Sequence, residues 1–82
     1  MGIRVVLSGE LPALAGGAQE IELEAADVLE LMRVLRARHP ALAAKAEADL
    51  ALAVNGVIYQ RPFAEALPPG AEVCFIPRIA AG

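Results

Sequence analysis

The chain has 82 residues, 57% of them hydrophobic, with a single cysteine and seven Lys+Arg against ten Asp+Glu for a net charge of −3. That length holds one core, and with neither an internal disulfide nor a Cys/His cluster to staple it, stability has to come from burial. No basic run is present to follow a phosphate backbone, and no uncharged stretch is long enough to span a bilayer, so neither nucleic acid nor membrane is an expected partner.

The N-terminus, with Arg4 and a few apolar residues before Ser8-Gly9-Glu10, is too brief for a signal peptide. A lone cysteine, Cys74, fits a reducing compartment, and a cytoplasmic protein is expected.

In residues 3–8, IRVVLS, alternation places Ile3, Val5 and Leu7 on one face and Arg4, Val6 and Ser8 on the other, the pattern of a strand. The next segment, LPALAGGAQ, is punctuated by Pro12 and Gly16-Gly17 and reads as a loop. Residues 20–24, EIELE, alternate again, with Glu20, Glu22 and Glu24 as a wet face. The two strands form a hairpin with a long loop.

From Asp27 the period becomes helical, with Val28, Leu31, Met32 and Leu35 at three- and four-residue spacing. Asp27 is a suitable N-cap, and Glu30 three positions on can complete a reciprocal cap. Arg38-His39-Pro40 stops the helix, because the residue before a proline is pushed out of helical geometry. Arg36 and Arg38 suit the negative end of the helix dipole. Residues 41–48, ALAAKAEA, predict a further helical turn or two.

Asn55-Gly56 in LALAVNGVIYQ is a strong tight-turn signal, since both positions accept positive φ, and two short strands flank it. Pro62 ends the second of them, and Pro68-Pro69-Gly70 makes a turn. The last strand is Glu72 to Ile76, broken by Pro77. Strand, strand, helix, then three strands is the order of an α+β, β-grasp (ubiquitin-like) fold, a mixed sheet with one main helix packed on one face. The single domain covers residues 1–82, with 78–82 as a flexible C-terminal tail. With one face of the sheet under the helix, the other displays Val6, Cys74 and Ile76. That strip is either a partner surface or a set of locally shielded residues.

Three segments in this order, VLELMRVLRARHPAL, AVNG and PPGAEVCFIPRIAAG, resemble the MoaD/ThiS family of ubiquitin-like sulfur carriers. The resemblance covers residues 3 to 82, and in helix length and size it is nearer the small subunit of molybdopterin synthase, the MoaD type, than the thiamine carriers. It implies that the carboxylate of Gly82 is adenylated by an E1-like enzyme of the MoeB or ThiF type using ATP, then converted to a thiocarboxylate. It further implies that sulfur is delivered in a large catalytic subunit of the MoaE type, with no cofactor bound by this chain. The chain would then be the carrier subunit of a sulfurtransferase and not an enzyme by itself.

On that resemblance Ala80 and Ala81 form the threaded tail, and Phe75, Ile76 and Arg78 are candidates for docking. One departure matters: the family usually ends Gly-Gly, and Ala81 stands in the penultimate place. Two further readings accordingly stay beside the first, a carrier for thiamine, cysteine or another pathway, and a β-grasp interaction module that transfers no sulfur.

The remaining reactive residues carry less. Cys74 reads as a small packed strand residue. His39, alone beside Pro40, reads as a helix-end residue with no ligand set around it. Gly16-Gly17 lacks the lysine and spacing of a phosphate loop.

Overall fold

Alternating apolar and charged residues set the first two strands, β1 (Ile3–Val6) and β2 (Glu20–Leu23), which pair antiparallel with Ile3 opposite Leu23 and Val5 opposite Ile21. The computed structural model describes residues 2–59 and 65–77. Two helices follow, α1 (Val28–Arg38) and α2 (Pro40–Asp49), then β3 (Leu50–Val54), β4 (Val57–Tyr59) and β5 (Glu72–Pro77). The sheet runs β2-β1-β5-β3-β4, with β1 and β5 parallel and every other pair antiparallel. This is the β-grasp topology expected from the order of elements.

Asp27 caps α1 as expected, its Oδ1 accepting the Glu30 N–H at 2.8 Å. Glu30 reaches back one residue further than in a standard capping box, accepting the N–H of Ala26 at 2.7 Å. The entry to α1 is also pinned from outside, because Val28 N–H donates to Glu65 O and Leu67 N–H to Ala26 O. His39, with φ −138° and ψ 73°, closes α1 and opens α2.

Three local expectations change. The segment after β1 contains a 3-10 helix, Leu11–Ala15, with Pro12 in its first turn and Gly16 in the left-handed region at φ 66°. Pro12 suits a first helical turn, and Leu11 and Ala15 gain burial from the coil. The further turn or two expected after Pro40 is a ten-residue helix. Its small residues Ala43 and Ala46 allow close packing, and with Leu42 they are buried, so tertiary burial completes what alanine propensity alone leaves marginal.

Finally, β5 runs on through Pro77, which lies opposite Leu50. There β1 pairs only with Glu72, Val73 and Cys74, so Pro77 sits where the ladder has one neighbour and a missing N–H is tolerated. Pro62, expected to end β4, lies outside the described residues.

The core lies between one face of the sheet and the helices. Ile3, Val5, Ile21, Leu23, Leu52 and Val73 meet Val28, Leu31, Leu35 and Leu42, with Leu31, Leu35 and Leu42 all at 0% exposure. Among the described residues no polar or charged side chain is buried, so the interior carries no desolvated charge. No helix among them is long and apolar enough to cross a membrane.

Candidate functional site

β5 is the central strand, and its alternation decides which side chains are offered to a partner. Val73 and Phe75 turn toward the helices, while Glu72, Cys74 and Ile76 turn to the outer face. Register then lines up one row across the whole sheet: Glu20 opposite Val6, Val6 opposite Cys74, Cys74 opposite Ala53, and Ala53 opposite Ile58. Val6, Cys74 and Ala53 are half-buried and Ile58 is 57% exposed. A second row pairs Ile76, also half-buried, with Ala51. Small residues stand at the centre of the strip, Ala51 among them is buried at 1% exposure, and the described helices pack on the other face.

Acidic groups border the strip on the β2 side. Glu22 and Glu72 flank Arg4 in register, and Arg4 Nη2 donates to Glu72 Oε2 at 3.1 Å while its Nε stands 4.0 Å from Glu20. These groups are about half-exposed, so the pairs orient side chains more than they stabilise the fold.

Ile76 lies on the outer face, half-buried. Phe75, grouped with it on sequence, is 5% exposed and belongs to the core, because successive strand side chains point to opposite faces. Its ring anchors β5 from the inside and reaches only the floor of an open groove that Leu14, Lys45 and Leu50 also line. Arg78, Ala80, Ala81 and Gly82 lie outside the described residues, as does the rest of the tail. What is described is its root: Phe75 to Pro77 extends past the β1 pairing and is laddered to β3 alone.

The Cys74 thiol is pushed above its ordinary range, first by burial and then by the neighbouring Glu72 charge. It stays a thiol at neutral pH, and among the described residues no cation lowers its pKa, so it is a poor nucleophile. His39 serves the junction between helices, donating its backbone N–H to Leu35 O and accepting from Ala43 N–H. No cluster of metal-ligating side chains is found among the described residues.

Sequence reading missed Ala53 and Ile58. The signal was available, since a two-residue Asn55-Gly56 turn forces Val54 opposite Val57 and therefore Ala53 opposite Ile58.

The ThiS family profile matches residues 5–82. No curated protein sequence matches the chain. Among solved structures, the molybdopterin converting factor subunit 1 from Pyrococcus furiosus is 26% identical with a TM-score of 0.78, over 96% of this chain and 99% of that one. A chain of the BexX/CysO complex from Amycolatopsis orientalis superposes with a TM-score of 0.82 at 20% identity, over 98% and 99% of the two chains. A chain from the complex of subunits 1 and 2 of the molybdopterin-converting factor of Helicobacter pylori gives 0.67 at 19% identity over the full length of both. The last two likenesses establish the shared fold.

Proposed function

The chain belongs to the ThiS family of ubiquitin-like sulfur carriers, and we propose that it carries sulfur as a thiocarboxylate on Gly82, in the synthesis of the molybdenum cofactor. The observation that carries this reading is the family match itself, which runs through the tail to Gly82. One solved neighbour above one-quarter identity, described as a molybdopterin converting factor subunit 1, supports the molybdopterin pathway over thiamine or cysteine.

The chemistry follows from the terminus. A carboxylate of pKa about 3.5 is ionised at neutral pH and is a poor electrophile. A carboxylate oxygen of Gly82 therefore attacks the α-phosphorus of ATP in an E1-like enzyme of the MoeB or ThiF type, and pyrophosphate leaves. A sulfur nucleophile then displaces AMP. Gly82 has no Cβ beside the reacting carbon, which lets the partner's backbone come close. Residues 78–82, extended, span at most about 17 Å, enough to place that carbon inside a large subunit of the MoaE type. Ile76 stands at the root of the tail, with Val6, Cys74, Ala53 and Ile58 as the surface behind it, and Arg78 is assigned to docking by the family resemblance alone. The chain itself holds no cofactor in this scheme, ATP belongs to the activating partner, and the setting is the cytoplasm.

Ala81 supports a second reading, an interaction module that keeps the docking surface and has lost transfer. Whole-protein mass spectrometry after incubation with an activating enzyme, ATP and a sulfur donor separates the two. Replacement of one oxygen by sulfur at the terminus supports the carrier. An unmodified terminus, with an enzyme that loads a Gly-Gly carrier in the same tube, leaves the module.

A further inference from the structure

The two edges of the sheet, β2 and β4, are built in opposite ways. At β2 the side chains of Glu20 and Glu22 are exposed. Leu7 N–H donates to Gln19 O at 2.9 Å, so in this register the odd-numbered residues exchange the hydrogen bonds and Glu22 turns its N–H and C=O away from β1. That outward carbonyl is already taken, since Arg38 Nη1 donates to it at 3.1 Å. A strand arriving at β2 meets carboxylates and an occupied acceptor.

At β4 neither guard is present. Val57-Ile58-Tyr59 carries no charge, and Val57 and Ile58 are 55% and 57% exposed. The two-residue turn Asn55-Gly56, with φ 49° and 86°, closes on a hydrogen-bonded pair, here Val54 and Val57. Alternation makes Leu52 and Tyr59 the next such pair and leaves the N–H and C=O of Ile58 pointing away from β3. The other side of β3 agrees: Asn55 N–H donates to Glu72 O, which assigns the odd-numbered residues of β3 to β5 and the even-numbered ones to β4. An exposed apolar side chain and an outward donor and acceptor thus belong to one residue, Ile58.

We propose that β4 is a self-pairing edge, through which two copies of this chain join antiparallel about a two-fold axis at Ile58. Each Ile58 exchanges N–H···O=C bonds with the other. On the outer face Ile58 then meets Ile58, and the row Val6, Cys74, Ala53, Ile58 continues into the second sheet. On the face toward the helices, Val57 of each copy stands opposite Tyr59 of the other, so no charge is opposed anywhere in the register.

The contrast between the edges argues for a second copy and for closure at two. Pairing β2 with β2 about Glu22 sets carboxylate against carboxylate, and pairing β4 with β2 finds Glu22 O held by Arg38. A two-fold contact at β4 uses the open edge of each copy and leaves none for a third. Three residues per strand make a contact below the standard interface size, so the dimer is weak, with a dissociation constant of roughly 0.1–1 mM. The net charge of −3 on each copy opposes it, and salt screens that repulsion. The inference uses the sheet alone and is independent of the carrier reading.

Sedimentation equilibrium of the full chain from about 10 µM to about 1 mM in about 0.15 M salt tests it, with amide hydrogen exchange at Ile58 followed over the same range. The wild type should pass from monomer to dimer, and Ile58 exchange should slow as it does. A chain made by total synthesis with N-methylated Ile58 loses the outward N–H while keeping the side chain and the β3 ladder. Ile58→Lys instead places like charges at the two-fold axis. Each should weaken dimerisation by about tenfold or more with the circular dichroism unchanged, whereas Glu22→Gln, on the other edge, should leave it as in wild type. An N-methylated chain that dimerises like wild type would move the contact to the outer face. A wild type still monomeric at about 1 mM would leave this edge to a strand of another protein. Either result overturns the proposal, as does assembly beyond the dimer.

Discussion

Asn55 and Glu72 hold each other by two hydrogen bonds, Asn55 N–H donating to Glu72 O and Glu72 N–H donating to Asn55 Oδ1, each at 2.9 Å. The turn between β3 and β4 is thereby clamped to the start of β5, at the opposite end of that strand from the tail. Asn55 is also the one non-glycine residue among those described with positive φ, at 49°. Its side chain therefore serves both the turn and the sheet.

Replacing Asn55 tests the two roles separately. Asn55→Ala loses the side-chain bond and places a Cβ-bearing residue without a polar compensator in the left-handed region, for a combined cost of roughly 2 kcal/mol. Asn55→Gly keeps the turn and loses only the bond, so about 1 kcal/mol is expected. Urea unfolding of the three proteins gives the ordering, and equal losses in both variants would show that the left-handed conformation contributes nothing.

Two leucines two positions apart on α1 are expected to differ sharply. Leu31 is fully buried against the sheet, whereas Leu29 is 57% exposed. Leu31→Ala should cost about 2–5 kcal/mol through lost burial and a residual cavity. Leu29→Ala should fall within about 0.5 kcal/mol of wild type. Denaturant midpoints at constant slope measure both.

These elements also mark what was legible in the sequence. The helix over Asp27 to Arg38 and the Asn55-Gly56 hairpin were readable because local signals, a cap, a period and a turn pair, agree with the tertiary fold. The length of α2 was not, because its stability comes from Leu42, Ala43 and Ala46 meeting a surface that local sequence does not display. The 3-10 helix was hidden by Pro12 and Gly16-Gly17, which mark a loop and a short helix with equal force. For the site, alternation along β5 gave Ile76 its outward place. The same alternation, applied strictly, puts Phe75 inside, and the wider strip needed the β3–β4 register as well.

The Cys74 thiol carries a pH signature. Its folded pKa is raised, chiefly by burial, so the neutral thiol is favoured in the fold over the unfolded chain. The associated stability is complete below the unfolded thiol pKa of about 8.5 and is lost as pH rises through the folded value. Cys74→Ala should therefore match wild type in pH dependence at neutral pH and decline less steeply above about pH 8.5. Parallel urea titrations across that range give the difference, and superimposable slopes would show that Cys74 ionises equally in both states.

Docking through the outer face predicts loss of partner affinity without loss of fold. Ile58 is more than half exposed and Ile76 half-buried on the strip. Ile58→Asp places a charge where a flat apolar contact would form, and Ile76→Ser removes apolar area beside the tail root. Each should weaken binding to a large subunit of the MoaE type by about tenfold or more, the effect of losing a central contact worth over 1 kcal/mol. Titration calorimetry with circular dichroism as the folding control measures this, and unchanged affinity in both variants would move the docking surface elsewhere.

The last prediction concerns Ala81, the residue at which this tail departs from Gly-Gly. A methyl there restricts φ and thickens the peptide beside the carbonyl that an activating enzyme must enclose, whereas glycine reaches either sign of φ at little cost. Ala81→Gly should therefore raise kcat/KM for adenylation by roughly twofold to fivefold, the equivalent of 0.5–1 kcal/mol of conformational restriction. A bulkier Ala81→Val variant should lower it further below wild type, since a β-branched side chain narrows the choice of backbone and rotamer again. Pyrophosphate release at varied carrier concentration measures all three, and the unfolding midpoint should stay constant because the substitution lies beyond the last core strand. A rate that does not change from glycine to alanine to valine would mean that the partner's channel is wide at this position. The Ala-Gly ending would then carry no argument against sulfur transfer.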